Sequence, residues 1–334
     1  MKEIKVGILG CGSAAAWHID AVNREPGARV AALCDIDPPR LRKAARLVRG
    51  TRPTLDDDFV ALLRREELDA LLVLTPPALH HLQVRAALDR GLHVLCQMPL
   101  VGDADEGRDL VLRAVKAGKI LQVAYPFPLK GVYRWAGDLV AAGKLGDLEH
   151  VSARLGHNWH GATEEWQRDR RSAGGILSDT GGHLIDLLHE VTRSRIREVA
   201  CFEDRLDLPV ETFASALLRF DGGRTGTLTV VGRGPYLWQI TVVGSKATLV
   251  LDHVDQARLI PARDYDHAPP AAGRSQRNLT PLKLPPDVTP MGHFLRAVRA
   301  GDLHASNGER AIAVALVTEA LHRAAAERRA VKVG

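Results

Sequence analysis

Residues 4–35 constrain the fold of this chain more than any other stretch. Ile4-Lys5-Val6-Gly7-Ile8-Leu9 is a short apolar strand that runs straight into Gly10-Cys11-Gly12-Ser13-Ala14-Ala15, a G-x-G-x-x-A turn. Ala15, Ile19 and Val22 then recur at helical spacing, so residues 13–25 read as a helix. Ala28 to Cys34 is a second β-prone run, and it ends in Asp35. Strand, glycine turn, helix, strand and acid in this order form the arrangement that binds dinucleotides. Gly10 permits the tight turn, and Gly12 lets the backbone approach a pyrophosphate. Ala15 is small enough for the helix to lie on the sheet. The N–H groups of Ser13 and Ala14 open the helix and face the phosphates. Asp35 is placed to accept hydrogen bonds from a ribose 2′,3′-hydroxyl pair. The plainer alternative is an α/β turn that needs glycine for packing only. The strand before the turn, the helix after it and the distance to the acid favour the cofactor. A carboxylate at this position repels a 2′-phosphate, so NAD is expected rather than NADP, although Arg40 and Arg42 lie nearby in sequence.

The 334 residues suffice for two domains, each with its own core. At 46% apolar and 25% charged residues the chain reads as an ordinary soluble protein, with no apolar run of membrane-spanning length. It opens on a strand rather than a signal-peptide core, so a cytoplasmic location is expected. Cys11, Cys34, Cys96 and Cys201 are scattered with no C-x-x-C pair, as in small buried residues of a reducing compartment. Lys and Arg number 45 against 40 acids, for a net charge of +5, with the two signs interleaved. That pattern is a solvated surface and not a nucleic-acid stripe.

After Asp35 the α/β alternation continues. Helices are expected at 38–49, 56–65, 78–90 and 103–117, with strands at 68–74, 93–96 and 120–124. This predicts an α/β Rossmann domain, a doubly wound parallel sheet, over residues 1–125. The pattern changes near Tyr125. One more helix is expected at 129–142, followed by strands at 147–157, 196–206, 212–220, 224–231, 237–243 and 246–251. Asp221-Gly222-Gly223 reads as a hairpin turn. Strands without intervening helices predict an α+β domain with a mostly antiparallel, open-faced sheet over 126–334. Residues 262–289, rich in Pro, Arg, Asp and Ala, read as a long loop. Helices at 290–300 and 307–327 and a short strand at 330–333 close the chain.

Taken together, these motifs resemble the glucose–fructose oxidoreductase and inositol dehydrogenase family (Gfo/Idh/MocA). The resemblance rests on Val6 to Ala15 with His18, Cys34-Asp35, Thr75-Pro76-Pro77-Ala78-Leu79-His80 and Gly91-Leu92-His93-Val94. In the second half it rests on Gly143-Lys144-Leu145-Gly146 and the run Gly174 to Asp186. It implies a first domain that binds NAD or NADP and a second that shapes the substrate pocket and builds a homodimer or homotetramer. It also implies oxidation or reduction at a carbinol carbon of a sugar, inositol or related polyol.

Such a reaction needs a base for the hydroxyl proton and donors that hold the oxygen. Asp179 and His183 are four apart, so on a helix they share one face. The resemblance makes His183 the general acid/base and has Asp179 orient a substrate hydroxyl or His183 itself. The plainer alternative is an acid in a first helical turn and a core histidine. The resemblance also sets Thr75, Pro76 and His80 beside the nicotinamide, with Gln97 and Met98 in the same part of the cofactor site; for His80 a helix-capping or surface role is the equal alternative. Here the sequence departs from the family, which usually has Glu-Lys-Pro where this chain has Gln97-Met98-Pro99. An ammonium there stabilises alkoxide charge and relays a proton, and Met98 can do neither. Three readings follow: hydride transfer with His183 as sole base, NAD-dependent redox-neutral glycoside cleavage, or an accessory protein that has lost turnover. Trp17 and His18 follow the glycine turn and are expected to pack near the pyrophosphate rather than to act in catalysis. Residues 157–171 form the candidate substrate loop, with Trp159, Trp166 and Arg168 foremost, because aromatics suit sugar faces and arginine suits carboxylates. The plainer alternative is a solvated loop with ordinary anchors. His157, His160 and His183 lack the Cys or carboxylate framework of a metal site, so no metal is expected.

Overall fold

The computed structural model describes residues 3–65, 67–162, 164–252, 256–261 and 284–334. The chain divides into two compact units. The first comprises Met1–Pro126, Arg171–Ala173 and Val288–Ala315; the second comprises Phe127–Arg170, Gly174–Asp287 and Leu316–Gly334.

In the first unit β1 (Ile4–Leu9), α1 (Ala15–Arg24), β2 (Ala28–Cys34), α2 (Pro38–Ala45), β3 (Thr54–Asp56), α3 (Phe59–Leu63), β4 (Ala70–Val73), α4 (His80–Asp89), β5 (His93–Cys96), α5 (Ala104–Ala117) and β6 (Leu121–Val123) follow in order. The sheet order is β3-β2-β1-β4-β5-β6, and every pairing is parallel. Strands buried on both faces explain the near-continuous apolar runs: Leu71, Leu72, Val94 and Leu95 have no exposed surface. The order reverses between β1 and β4, so the turns after these two strands flank the switch point where doubly wound sheets bind ligands. Two expectations are corrected here. The helix expected at 56–65 is split into the edge strand β3 and the short α3, because Asp58 caps a new helix by accepting the N–H groups of Val60 and Ala61. The helix expected at 38–49 ends at Ala45, and the chain turns over 46–47.

Where a division at residue 125 is expected, the first compact unit also takes in Val288–Ala315. Helix α9 (Pro290–Ala300) places Met291, Phe294 and Leu295 in the same buried cluster as Ile4, Ile19 and Leu95. An amphipathic helix goes where its apolar stripe is buried, whatever its place in sequence. Asn307 then pairs with the edge of β6, accepting the Val123 N–H at 2.6 Å and donating to its carbonyl at 3.1 Å.

In the second unit α6 (Gly131–Ala141) precedes β7 (Leu148–Gly156), the short α7 (Trp159–Ala162) and α8 (Gly182–Thr192). Then come β8 (Ile196–Asp204), β9 (Phe213–Phe220), β10 (Thr225–Val231), β11 (Leu237–Gly244), β12 (Ala247–Asp252) and β13 (Gln256–Pro261). Helix α10 (Gly308–Glu327), which belongs to this unit from Leu316 on, and β14 (Val331–Lys332) close the chain. Among the described residues the sheet order is β13-β12-β11-β7-β10-β9-β8-β14, antiparallel except for the parallel β7–β10 pair. Strand β9 alternates strictly, with Ala214, Ala216, Leu218 and Phe220 buried and Ser215, Leu217 and Arg219 exposed. That alternation is the mark of a sheet covered on one face and open on the other. β13 is a strand that the sequence did not suggest. Most of the expected loop, residues 262–283, lies outside the described residues. Among those described, no helix is long and apolar enough to cross a membrane.

Candidate active site

The glycine turn after β1 lies directly against the end of β4. Gly10 has φ +94°, and a Cβ there would stand 2.8 Å from the Leu74 carbonyl carbon and 2.9 Å from its oxygen. Glycine alone fits. At Gly12 the nearest heavy atom to such a Cβ would be Arg40 Nη1 at 3.8 Å, so the outer side of the turn is open. Helix α1 starts from Ala14 with no side-chain cap and no acid in its first turn, which leaves its positive end uncompensated. Asp35 is buried, with Oδ2 accepting the Cys11 N–H at 2.6 Å and Oδ1 the Asp37 N–H at 2.8 Å. These bonds tie the glycine turn to the end of β2. A carboxylate has about four lone-pair sites, so Asp35 keeps capacity for ribose hydroxyls. An open glycine turn, an uncapped helix start and a fixed acid fit a dinucleotide.

The segments after β4 and β5 are clasped together. His80 is fully buried, with Nε2 at 2.7 Å from the Thr75 carbonyl and Nδ1 at 2.9 and 3.1 Å from the carbonyls of Pro99 and Leu100. Burial pushes its imidazole below the ordinary value, and the three carbonyls oppose this. His80 was expected to line the cofactor. With no exposed surface and all of its bonds made to backbone, it is instead a clasp that positions Thr75 and Met98. The Thr75 hydroxyl donates to Gln83 Oε1 at 2.5 Å. Met98 is 5% exposed and brings no charge to this position. The Gln97 Oε1 is buried without a hydrogen-bond partner among the described residues. His18 lies close enough to be influenced by Gln97, though no bond of ordinary geometry joins them, and burial pushes His18 down to about 4.

The second unit assembles the other candidates on the segment that enters α8. Leu177–Gly181 is a π-helical turn rather than the α-helix the spacing suggested. Asp179 Oδ2 accepts from Trp159 Nε1 and from Gln167 Nε2, each at 2.7 Å, and not from His183. The expectation that Asp179 orients His183 is therefore corrected. Burial raises the Asp179 carboxyl above its usual range, while the Trp159 and Gln167 donors pull it back. His183 is pushed down to about 4 by burial and is a neutral imidazole at physiological pH. Phe127 meets its ring edge-on at 5.2 Å, and Phe127 in turn lies 4.1 Å from the Trp238 ring. His157 Nε2 is 3.1 Å from the Thr180 hydroxyl.

Of the three loop residues expected to meet substrate, Trp159 is corrected. It is 2% exposed and serves as a buried donor to Asp179 rather than as an open platform. Trp166 is half-buried and Arg168 exposed. Gln167 and Phe127 are contributors that sequence reasoning missed. Gln167 sits inside the singled-out loop, but nothing in its spacing marks it as a partner of Asp179.

Neutral buried histidines have a measurable consequence. Unfolded, His18 and His183 would titrate near 6.5; folded, both titrate at about 4. Between those values the unfolded chain binds protons that the folded chain refuses, so stability falls as pH drops from 6.5 to 4 and levels off below. Each imidazole accounts for about 3 kcal/mol. Thermal midpoints across this range are expected to show the slope, and His183→Gln should remove its share.

The fold and the turn after β1 define a dinucleotide-binding protein with a second, open-sheet domain. Residues 4–125 match the oxidoreductase family with an NAD-binding Rossmann fold, and residues 133–250 match the GFO/IDH/MocA C-terminal domain. The chain belongs to the Gfo/Idh/MocA family. It is similar to a D-xylose 1-dehydrogenase (NADP(+)) 2 of Haloferax volcanii, 32% identical over 173 residues that make up 52% of this chain and 53% of that protein. It is similar also to an inositol 2-dehydrogenase of Rhodococcus erythropolis, 33% identical over 148 residues, 43% of this chain and 42% of that one. The chain thus spans about half the length of the curated relatives it matches. A solved levoglucosan dehydrogenase in complex with NADH shares the fold, with a TM-score of 0.84, 18% identity and 100% of both chains covered.

Proposed function

We propose that this protein is an oxidoreductase that uses a nicotinamide dinucleotide to oxidise or reduce a carbinol carbon of a sugar, inositol or related polyol. The observation that carries the reading is the neutral His183 imidazole four residues after a desolvated Asp179 held by two donors. The cofactor, when bound, supplies a hydride acceptor or donor. The chain's own residues do the rest. Gly10, Gly12 and the start of α1 hold the pyrophosphate, and Asp35 holds the adenosine ribose. His183 is unprotonated above about pH 4 and can take the proton of a substrate hydroxyl. Asp179 keeps one oxygen clear of the bonds from Trp159 and Gln167, which suits it to a second hydroxyl. Met98 has no proton to give, and this reading assigns proton transfer to His183. The Asp35 carboxylate favours NAD over NADP.

The test is steady-state turnover with NAD and with NADP against a panel of inositols, aldoses, sugar acids and glycosides. Nicotinamide reduction with at least one free polyol, and a higher kcat/KM with NAD, are expected. Release of sugar from a glycoside with no net nicotinamide reduction would replace this reading with redox-neutral cleavage.

A further inference from the structure

Glu211 has no exposed surface and no part in the chemistry above. Its Oε1 accepts the N–H of Leu177, the first residue of the π turn, at 3.0 Å. Its Oε2 accepts from Arg170 Nη2 at 3.0 Å, and its backbone carbonyl accepts the Ile176 N–H at 3.1 Å. Gly175 has φ +107°, and a Cβ there would stand 2.2 Å from Glu211 Oε1, so the chain is packed directly onto this carboxylate. One buried side chain is thus fixed both to the 164–170 loop and to the start of the turn that carries Asp179.

The surrounding charges support the same arrangement. Glu203 Oε2 is 3.7 Å from Arg170, and Glu203 Oε1 is 2.6 Å from His322 Nδ1. Glu203, Glu211 and His322 have the donor types of a metal site. Arg170 spans both carboxylates, however, and already supplies the cation there. The loop that Arg170 ends begins with a capping box, in which the Glu164 N–H donates to Gln167 Oε1 at 2.6 Å. The other end of the same amide, Gln167 Nε2, is the donor to Asp179. Glu211 thus holds Arg170, three residues beyond Gln167 in the same loop, and Gln167 donates to Asp179.

We propose that Glu211 and Arg170 are positioning residues for Asp179, latching the 164–170 loop so that Gln167 stays on the Asp179 carboxylate. This rests on the reading of Asp179 as a substrate-holding carboxylate. With the loop released, Asp179 keeps Trp159 as its remaining donor. His157 and Glu164 are the charged or titratable groups that face Asp179 from the neighbouring segments, and their effects oppose each other. Losing Gln167 therefore moves the proton affinity of Asp179 upward, and with it the acid limb of any activity that needs the carboxylate ionised.

Two arms test the latch. The first is limited trypsin digestion of the full chain, which needs no activity. Glu211→Gln and, at an exposed position, Arg170→Gln should each let trypsin cleave after Arg168 about tenfold faster than in the wild type, with sites outside residues 164–171 unchanged. The second arm is the pH profile of kcat/KM. Glu211→Gln and Gln167→Ala should each raise the acid limb by about one pH unit. The double variant Glu211→Gln/Gln167→Ala should raise it no further, because both act through one bond. Wild-type protection at Arg168 in both latch variants would overturn the proposal. So would additive shifts, or a fall in kcat without movement of the limb. If the wild type turns over no polyol, the oxidoreductase reading fails, while the digestion arm still decides the latch.

Discussion

Replacing His183 by alanine is expected to lower kcat/KM by roughly 10²–10⁴-fold, the range that a positioned acid/base contributes, while NADH affinity stays within about twofold of wild type. The loss should be this large because this reading gives His183 the proton transfer. The Asp179 carboxylate four residues before it is ionised when it holds a substrate hydroxyl, and its Oδ2 already accepts from Trp159 and Gln167. The pH profile gives a second check. With the imidazole pushed down to about 4, wild-type activity should not fall with an apparent pKa near 6.5 as it would for an exposed histidine base. Titration of NADH fluorescence alongside the kinetics separates catalysis from binding. A loss of less than threefold in His183→Ala would remove this residue from the chemistry.

Replacing Gly10 by alanine is expected to abolish cofactor binding and to destabilise the first unit. The new methyl carbon would stand 2.8 Å from the Leu74 carbonyl carbon and 3.0 Å from the Thr75 nitrogen, both backbone atoms that cannot turn aside. The positive φ alone costs about 1–3 kcal/mol for a residue with a side chain. Relief of the clash must move the glycine turn away from β4 at the switch point, which displaces the start of α1 and the Cys11 N–H held by Asp35. NADH affinity is expected to fall by about a hundredfold or more, with a lower thermal midpoint. Gly12→Ala is the control. A Cβ there meets nothing closer than Arg40 at 3.8 Å, so folding should survive while binding weakens through loss of close backbone approach.

The cofactor half was legible in the sequence because its requirements are local. Gly10, Gly12, Ala15 and Asp35 lie within one strand–helix–strand unit, and the apolar runs of β4 and β5 show directly that the sheet is covered on both faces. The second half was legible as strands, since Ala214 to Phe220 alternate at period two. Non-local features were not. Helix α9 has the expected bounds, but its burial against Ile4 and Ile19 depends on a distant surface. The π turn at Leu177–Gly181 has no sequence signature separate from that of an α-helix, and the Asp179–His183 spacing carries no sign that the carboxylate is bonded to Trp159 and Gln167 instead. Trp159 looked like a sugar platform because an indole looks the same in sequence whether it faces solvent or a buried carboxylate. Glu211 left a faint signal, a lone acid between Val210 and Thr212 at the start of a strand, but its partners lie at positions 170 and 177.

The central claim is hydride transfer between a polyol carbon and the nicotinamide, and isotope transfer tests it most directly. The protein would be incubated with NAD and a reactive polyol deuterated at its carbinol carbon, and the nicotinamide analysed by mass spectrometry. The account predicts reduced nicotinamide carrying one deuterium, at a rate that collapses in His183→Ala. Bound NAD that stays oxidised, or reduced nicotinamide free of deuterium, would contradict it.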